Sequence, residues 1–205
     1  MLVAGIRRRS TRFDLNYDPA VPPPRRQKKQ QLAAVPEAAL LRVSKGTKKT
    51  VDLFLEGVYL AGTSAGGLED LRHRACADRL RLAEQFVSSG RRLLRARPAQ
   101  YRDAISRNYY GMYHATRAVV FYRYGGDDHE SHQALPGQIP KDFPDAAQWT
   151  NTLKDARAHR NAADYDPYPT DVQYWRGVAQ GLAVEAPTLL ALVRQYLAAK
   201  GCNHL

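Results

Sequence analysis

The chain has 205 residues, a formal net charge of +11 at pH 7 and two cysteines. This length predicts one domain of ordinary size with additional segments, and two cysteines exclude a small scaffold held together by disulfides. No apolar run approaches the roughly 18–20 residues that span a bilayer. In MLVAGIRRRS the positive charges follow the short apolar run, whereas in an export signal they precede it. We therefore expect a cytoplasmic protein without a membrane segment.

Most of the positive charge lies near the N-terminus. Residues 1–50 carry 12 Lys or Arg and 3 Asp or Glu, whereas residues 51–205 carry 19 and 17. High charge, clustered prolines and the lack of apolar periodicity predict a disordered basic tail over residues 1–35. This tail is either a solvated segment, an extension from a start site assigned too early, or an arm that binds phosphate backbones.

Residues 36–67 have mixed character. VPEAALLRVSKG begins like a short helix after Pro36, and TKKTVDLFLEGVYLAG is compatible with a strand or with a second short helix. TSAGG at 63–67 is typical of a linker. We predict a partly ordered extension over residues 36–67.

Residues 68–200 show the pattern of amphipathic helices, which are expected over about 68–97, 100–124, 149–164 and 171–199. Gly125-Gly126 ends the second helix, Thr170 or Asp171 caps the last, and Pro187 should kink or split it. The apolar stripe of the first helix contains Leu68, Leu71, Ala75, Leu82, Phe86 and Leu93. The prediction is an all-α fold, an up-and-down bundle of four to five helices with one long loop.

The second helix, with the segment SRNYYGMYHATRAVVFYRY, divides into three stripes. The first is apolar and is expected in the core: Ile105, Tyr109, Met112 and Val119. The second has small side chains that allow another helix to approach closely: Asn108, Gly111, Ala115 and Ala118. The third is polar: Ser106, Tyr110, His114 and Arg117. This polar row is either a solvent-exposed face or part of a binding site.

The third helix carries a second polar group. Arg157, Arg160 and Asp164 are spaced i, i+3 and i+7 and therefore share one face. The spacing of Arg160 and Asp164 fits an ion pair. Such a pair is either a surface salt bridge worth a few tenths of a kcal/mol, or a guanidinium that a carboxylate holds toward a phosphate.

Three segments in this order, SRNYYGMYHA, ESHQALPG and RAHRNAADY, resemble the HEPN domain superfamily, in particular small bacterial and archaeal members with an SRxYYxxxHA … sH … RxxADY signature. The resemblance covers about residues 70–200. It implies a helical bundle that forms a homodimer, with the polar helices meeting at the two-fold axis. Many HEPN proteins are metal-independent endoribonucleases that act as toxins or in defence. A related group pairs with a nucleotidyltransferase antitoxin.

The ribonuclease motif of this superfamily is an Arg followed, after four to six residues, by a His on the later helix. No His stands in the corresponding windows after Arg157 or Arg160. Arg107 and His114 fit the count, but they lie on the earlier helix. Tyr165 follows Arg160 instead of a His, and a tyrosine with its pKa near 10 is a poor base at neutral pH.

The resemblance and the spacings together give a set of candidate site residues. Candidates for phosphate or nucleotide binding are Arg157, Arg160, Asp164, Tyr165, Ser106, Arg107 and Tyr110. Candidates for catalysis are Arg160, His114 and His132, of which His132 matches the loop histidine of the superfamily. A loose group of Asp127, Asp128, His129 and His132 has residue types that bind metals, but we predict neither a metal nor another cofactor.

Three functions follow from these observations. The first is a HEPN-type module that binds a nucleotide or RNA, or that docks a nucleotidyltransferase in a toxin–antitoxin or defence-type pair. The second is a divergent metal-independent endoribonuclease that combines Arg160 with His114 or His132. The third is a structural dimeric bundle whose polar rows satisfy each other.

Overall fold

The computed structural model describes residues 36–205, so the basic tail predicted over residues 1–35 lies outside the described part. The chain divides into two units after Lys48. In the first unit, α1 (Glu37–Ser44) follows Pro36, and none of its residues is buried. The short helix expected after Pro36 is therefore present.

The second unit, Lys49–Leu205, contains the remaining helices. Its first helix is α2 (Lys48–Gly62), which resolves the alternative between strand and helix in favour of a helix. None of the α2 residues is buried, and Leu55 and Val58 are largely exposed. A turn at the predicted linker leads into the helical bundle.

Four long helices form the bundle: α3 (Gly67–Arg95), α4 (Tyr101–Tyr124), α5 (Ala146–Tyr165) and α6 (Val172–Ala199). One short 3-10 helix (Leu135–Gln138) lies in the loop between α4 and α5. Residues 36–205 contain no strand, and the predicted all-α bundle is confirmed. None of the helices in this range has the length and apolar character that a membrane span requires.

Helix α4 lies at the centre and packs against α3, α5 and α6. Its predicted core stripe is buried, as Ile105 and Met112 illustrate with no exposed surface. The stripe of small residues allows α3 to approach closely. A Cβ atom added at Gly111 would lie 2.5 Å from a methyl carbon of Val87 and 3.2 Å from the carbonyl oxygen of Ala83. The close-packing face of α4 is therefore directed at α3.

The apolar stripe expected on α3 is partly wrong. Leu68 and Leu82 are 49 % and 39 % exposed, whereas the buried face consists of Cys76, Ala77, Leu80, Ala83, Val87 and Gly90. Small side chains dominate this face because α4 packs so near to it. Phe86 lies beside the buried face and is only partly covered.

The helix ends follow the expected signals. Gly125 ends α4 with a φ of 77°, and its N–H donates to the carbonyl oxygen of Phe121 at 2.8 Å. Asp171 caps α6, because its carboxylate accepts a hydrogen bond from the backbone N–H of Gln173. Helix α6 continues through Pro187, so of the two expected effects of this proline, a kink or a split, the split does not occur. Buried leucines just after the proline hold this part of α6 against the core.

Candidate functional site

The first two members of the polar row of α4, Ser106 and Tyr110, face α5, and their side chains join the two helices at two positions. The hydroxyl of Ser106 donates to Oδ1 of Asp164. One turn further along α4, the hydroxyl oxygen of Tyr110 accepts a hydrogen bond from Nη2 of Arg160 at 2.5 Å. The polar row and the polar face of α5, identified separately from the sequence, therefore form one cluster.

Arg160 is the cation of this cluster with the most side-chain contacts. Its Nε lies 2.8 Å from Oδ2 of Asp164, and its Nη1 donates to the side-chain oxygen of Asn161 at 3.1 Å. The guanidinium lies over the rings of Tyr110 and Tyr165 at 5.2 and 5.5 Å from their centres. A guanidinium has five N–H donors. Within the described residues two of them donate hydrogen bonds, one from each terminal nitrogen, so one N–H on each terminal nitrogen remains for a ligand. Nε is paired with Asp164 by charge and distance but makes no hydrogen bond of good geometry.

His132 reaches the same cluster from the loop between α4 and α5. Its Nδ1 lies 2.6 Å from the hydroxyl of Tyr109, and its ring stacks on Tyr113 with 4.0 Å between ring centres. Burial is the main cause that lowers the pKa of His132, and the charges of Arg160 and Arg157 add to it. The imidazole is therefore mostly neutral at pH 7. Nδ1 is engaged with Tyr109, which leaves Nε2 as the ring nitrogen that can serve a ligand.

His114 lies on the side of α4 that faces α3. Its ring stacks on Phe86 with 5.3 Å between centres and meets the ring of Tyr113 edge-on at 5.0 Å. Its Nδ1 is buried and has no hydrogen-bond partner among residues 36–205. Burial, followed by the charges of Arg79 and Arg117, lowers the pKa of His114 to about 4. His114 is therefore neutral at pH 7, and no contact joins it to Arg160.

Arg117, the last member of the polar row, holds the loop rather than facing a ligand. Its Nε donates to Oδ1 of Asp127 at 2.7 Å, and its Nη2 lies 2.9 Å from a carboxylate oxygen of Glu130. Arg79 makes a second, longer ion pair with Asp127. These contacts engage one carboxylate of the loose metal-binding group. No cluster of three or more His, Cys, Asp or Glu residues suited to a metal ion occurs in the described part of the chain.

The family model for the HEPN domain matches residues 76–193, which include all the candidate site residues. The chain belongs to the HEPN domain family. Comparison with curated proteins and with solved structures finds no match in either set. Membership of this family supports a nucleotide- or RNA-related module in general.

Within the HEPN domain, the two residues that fit the Arg-to-His count meet around one ring. The guanidinium of Arg107 lies 5.8 Å from the centre of the Phe86 ring, and His114 stacks on the same ring. Tyr110 contacts Phe86 as well, with 5.5 Å between ring centres. Phe86 therefore links these two residues to the cluster that contains Arg160.

The remaining predicted residues differ in their accessibility. Arg157 is half-buried, and no ion pair of Arg157 occurs in the described range. Tyr165 is 71 % exposed at the end of α5. The sequence analysis did not identify Phe86 and Tyr113 as parts of the site. On an amphipathic helix, an aromatic residue of a site has the same spacing pattern as an aromatic residue of the core.

Proposed function

We propose that this HEPN domain binds a nucleotide or RNA through a phosphate group at Arg160, between α4 and α5. The observation that carries the proposal is the fixation of Arg160. Asp164 and Tyr110 hold the guanidinium in place while one N–H on each terminal nitrogen stays available. This is the fork that binds two oxygens of one phosphate.

The surroundings of Arg160 favour an anion. Arg157 adds a second positive charge close enough to lower the pKa of His132, and Asp164 is the carboxylate that pairs with Arg160. Burial keeps His132 mostly neutral, so it can donate or accept a hydrogen bond without competing with the phosphate for the arginines. The exposed ring of Tyr165 offers a face on which a base can stack.

The proposal is tested by titrating AMP and a single-stranded oligoribonucleotide against Arg160→Ala. The titrations use one fixed salt concentration, because affinity for nucleic acids depends on salt. Loss of a charge-assisted phosphate contact is expected to weaken binding of both ligands about 10-fold or more. Arg176→Ala is the matched control, since Arg176 is exposed on α6 and its removal changes the net charge equally. Equal affinities of the two variants would exclude Arg160 as the phosphate-binding residue.

The position of His132 favours endoribonuclease activity as a second candidate function. The motif histidine is missing from α5, but the loop supplies His132 to the cluster that contains Arg160. In this candidate, Nε2 of His132 accepts the proton of the 2′-hydroxyl, whose oxygen attacks phosphorus. The bond to the 5′-oxygen breaks, the 5′-oxygen takes a proton from water, and a 2′,3′-cyclic phosphate forms.

This second candidate predicts RNA cleavage in the presence of a chelator. Cleavage is expected to fall at least about 100-fold in His132→Gln, since a general base contributes about 10²–10⁴-fold. His129→Gln is the control from the same loop and should keep the wild-type rate. Cleavage that survives in His132→Gln, or that requires a divalent metal, would contradict this candidate.

We also propose that the protein forms a homodimer and acts with a nucleotidyltransferase in a toxin–antitoxin or defence-type pair. The support is the resemblance of the three sequence segments to HEPN proteins of such pairs. A nucleotidyltransferase encoded next to this chain should co-purify with it when both are expressed. If the nucleotidyltransferase does not co-purify, the proposed pairing is contradicted. If this protein is monomeric at micromolar concentration, the proposed homodimer is contradicted.

A further inference from the structure

A groove between α3 and α4 adjoins the Arg160 site without being part of it. We call it the α3–α4 groove, and it has a volume of about 240 Å³. Its lining consists of Leu82, Gln85, Phe86, Ser89, Arg92 and Arg107. Apart from Leu82 and the partly covered Phe86, these side chains are polar or positively charged.

The two arginines of the groove are available to a ligand. Arg92 and Arg107 are both exposed, and neither forms an ion pair with a carboxylate among residues 36–205. Among the other arginines of α3, Arg72, Arg79 and Arg81 form ion pairs with carboxylates, whereas Arg74, Arg91 and Arg95 form none within residues 36–205. Two guanidinium groups that line one cavity without a carboxylate between them repel each other, and an anion relieves this repulsion.

The groove and the Arg160 site share a wall. Phe86 lines the groove and contacts Tyr110, which in turn accepts the hydrogen bond from Arg160. Arg107 also lies over the Phe86 ring, with its guanidinium carbon 5.8 Å from the ring centre. A ligand that carries one phosphate at Arg160 therefore passes the rings of Tyr110 and Phe86 before it reaches the arginines of the groove.

We propose that the α3–α4 groove binds a further phosphodiester of the strand whose phosphate is held at Arg160, so that the groove is a second subsite for a ligand longer than one nucleotide. Basic side chains that alternate with aromatic rings are the features with which proteins follow a single-stranded backbone. The inference rests on the proposed binding function of the Arg160 site and adds a second subsite to it.

The test compares two ligands and two adjacent arginines. The ligands are AMP and an octamer of 2′-O-methyl adenylates, which cannot be cleaved through the 2′-oxygen. Arg92→Ala and Arg107→Ala are expected to weaken octamer binding by roughly 5- to 10-fold. Arg92→Ala, which changes no candidate residue of the mononucleotide site, should leave AMP binding unchanged within about 2-fold. Each of the two variants should also reduce the salt dependence of octamer binding by about 0.7 in the slope of log K against log salt, the value for one single-strand phosphate contact. Arg91→Ala is the matched control, because Arg91 is exposed on the same helix and lies outside the groove.

Three outcomes would overturn the inference. The first is an equal loss of octamer affinity in Arg91→Ala and Arg92→Ala, which would mean general attraction to a basic surface. The second is a loss of AMP affinity in Arg92→Ala as large as its loss of octamer affinity, which would place the groove within the mononucleotide site. Wild-type octamer affinity in both groove variants would remove the second subsite. Failure of the Arg160 site itself is recognised separately, since Arg160→Ala would then leave AMP binding intact. The variants of Arg91, Arg92 and Arg107 change exposed side chains, whereas Arg160 is largely buried. Melting temperatures of all four variants are measured to show that they remain folded.

Discussion

The hydroxyl oxygen of Tyr110 accepts a hydrogen bond of 2.5 Å from Arg160, and the guanidinium of Arg160 also lies 5.2 Å from the centre of the Tyr110 ring. One side chain of α4 thus holds an α5 cation both by its hydroxyl and by its π face. The same ring contacts Phe86 on α3, with 5.5 Å between the ring centres. Tyr110 therefore connects the Arg160 site with the α3–α4 groove.

The two contacts of Tyr110 with Arg160 can be separated by Tyr110→Phe. The variant keeps the ring but leaves one N–H of a largely buried guanidinium without its acceptor. We expect the free energy of unfolding to fall by about 0.5–1.5 kcal/mol in urea denaturation. Binding of AMP and RNA should weaken several-fold, because Arg160 loses one of the contacts that orient it.

Tyr165→Phe is the control for this experiment. Tyr165 also contacts the Arg160 guanidinium through its ring, but its side chain is largely exposed. Its hydroxyl has no hydrogen bond within the described residues, so its loss should change neither stability nor binding. Identical behaviour of the two variants would show that the Tyr110 hydroxyl does not orient Arg160.

The close packing of α3 on α4 predicts an unfavourable effect of Gly111→Ala. In an open helix this change stabilises by up to about 1 kcal/mol. At Gly111 the new Cβ would lie 2.5 Å from a methyl carbon of Val87, and overpacking of this kind costs about 1–3 kcal/mol. Gly181→Ala on α6 is the matched control, since no atom lies within 4 Å of its added Cβ. Thermal unfolding should show opposite signs for the two variants, and stabilisation by both would contradict the close approach.

The helices and the three faces of α4 were predictable because helical periodicity is a local property of the sequence. The buried face of α3 was predicted only in part. A hydrophobic pattern gives weight to large residues such as Leu82, whereas four of the six residues on the buried face of α3 are small: Cys76, Ala77, Ala83 and Gly90. Two helices that pack closely require small side chains at their contact. The distance between the helices is a tertiary property, so it cannot be predicted from the sequence of either helix alone.

In the candidate site, too, the features set by local spacing were predictable and those set by tertiary structure were not. The i+4 spacing of Arg160 and Asp164 predicted their ion pair, which the structure contains. The position of His132 depends instead on a loop without periodicity, held by contacts of Arg117 with Asp127 and Glu130. Its proximity to Arg160 therefore required the structure, although the resemblance to HEPN proteins had suggested a place near the polar face.

The burial of His114 predicts a pH dependence of stability. Its pKa is lowered from an ordinary value of 6.5 to about 4 in the folded state. Above pH 6.5 the imidazole is neutral in both states, so it causes no pH dependence. Between pH 6.5 and 4 the unfolded chain binds a proton that the folded chain does not, and the free energy of unfolding falls as the pH falls. The contribution of His114 to the slope of the unfolding free energy against pH stays below about 1.4 kcal/mol per pH unit.

Urea denaturation of the wild type and of His114→Phe between pH 4 and 7 measures this contribution. Phenylalanine can keep the stacking on Phe86 while it removes the titrating group. The difference in unfolding free energy between the two proteins should therefore change across this pH range and stay constant above it. Parallel curves would show that His114 titrates normally in the folded protein.

The ion pair between Arg117 and Asp127 is expected to hold His132 in place. Asp127→Asn removes the negative charge that both Nε and Nη2 of Arg117 contact. We expect the free energy of unfolding to fall by about 1–2 kcal/mol at pH 7. The hydrogen bond from Arg117 is the main cause that lowers the pKa of Asp127 below its ordinary 3.8. The stabilisation by this pair is therefore complete above pH 3.8, and it is lost as the pH falls through the lowered pKa.

The readout for His132 in Asp127→Asn is the NMR titration of its imidazole. If the loop is released, the ring leaves its stack on Tyr113, its chemical shift moves toward that of a solvated histidine, and its pKa rises toward 6.5. Asp128→Asn changes the same charge one residue further along the loop and should leave the His132 signal unchanged. An unshifted His132 titration in Asp127→Asn would mean that the stacking on Tyr113 and the hydrogen bond with Tyr109 are sufficient to hold the imidazole. In that case the contribution of His132 to binding or cleavage would not depend on the Arg117 ion pair.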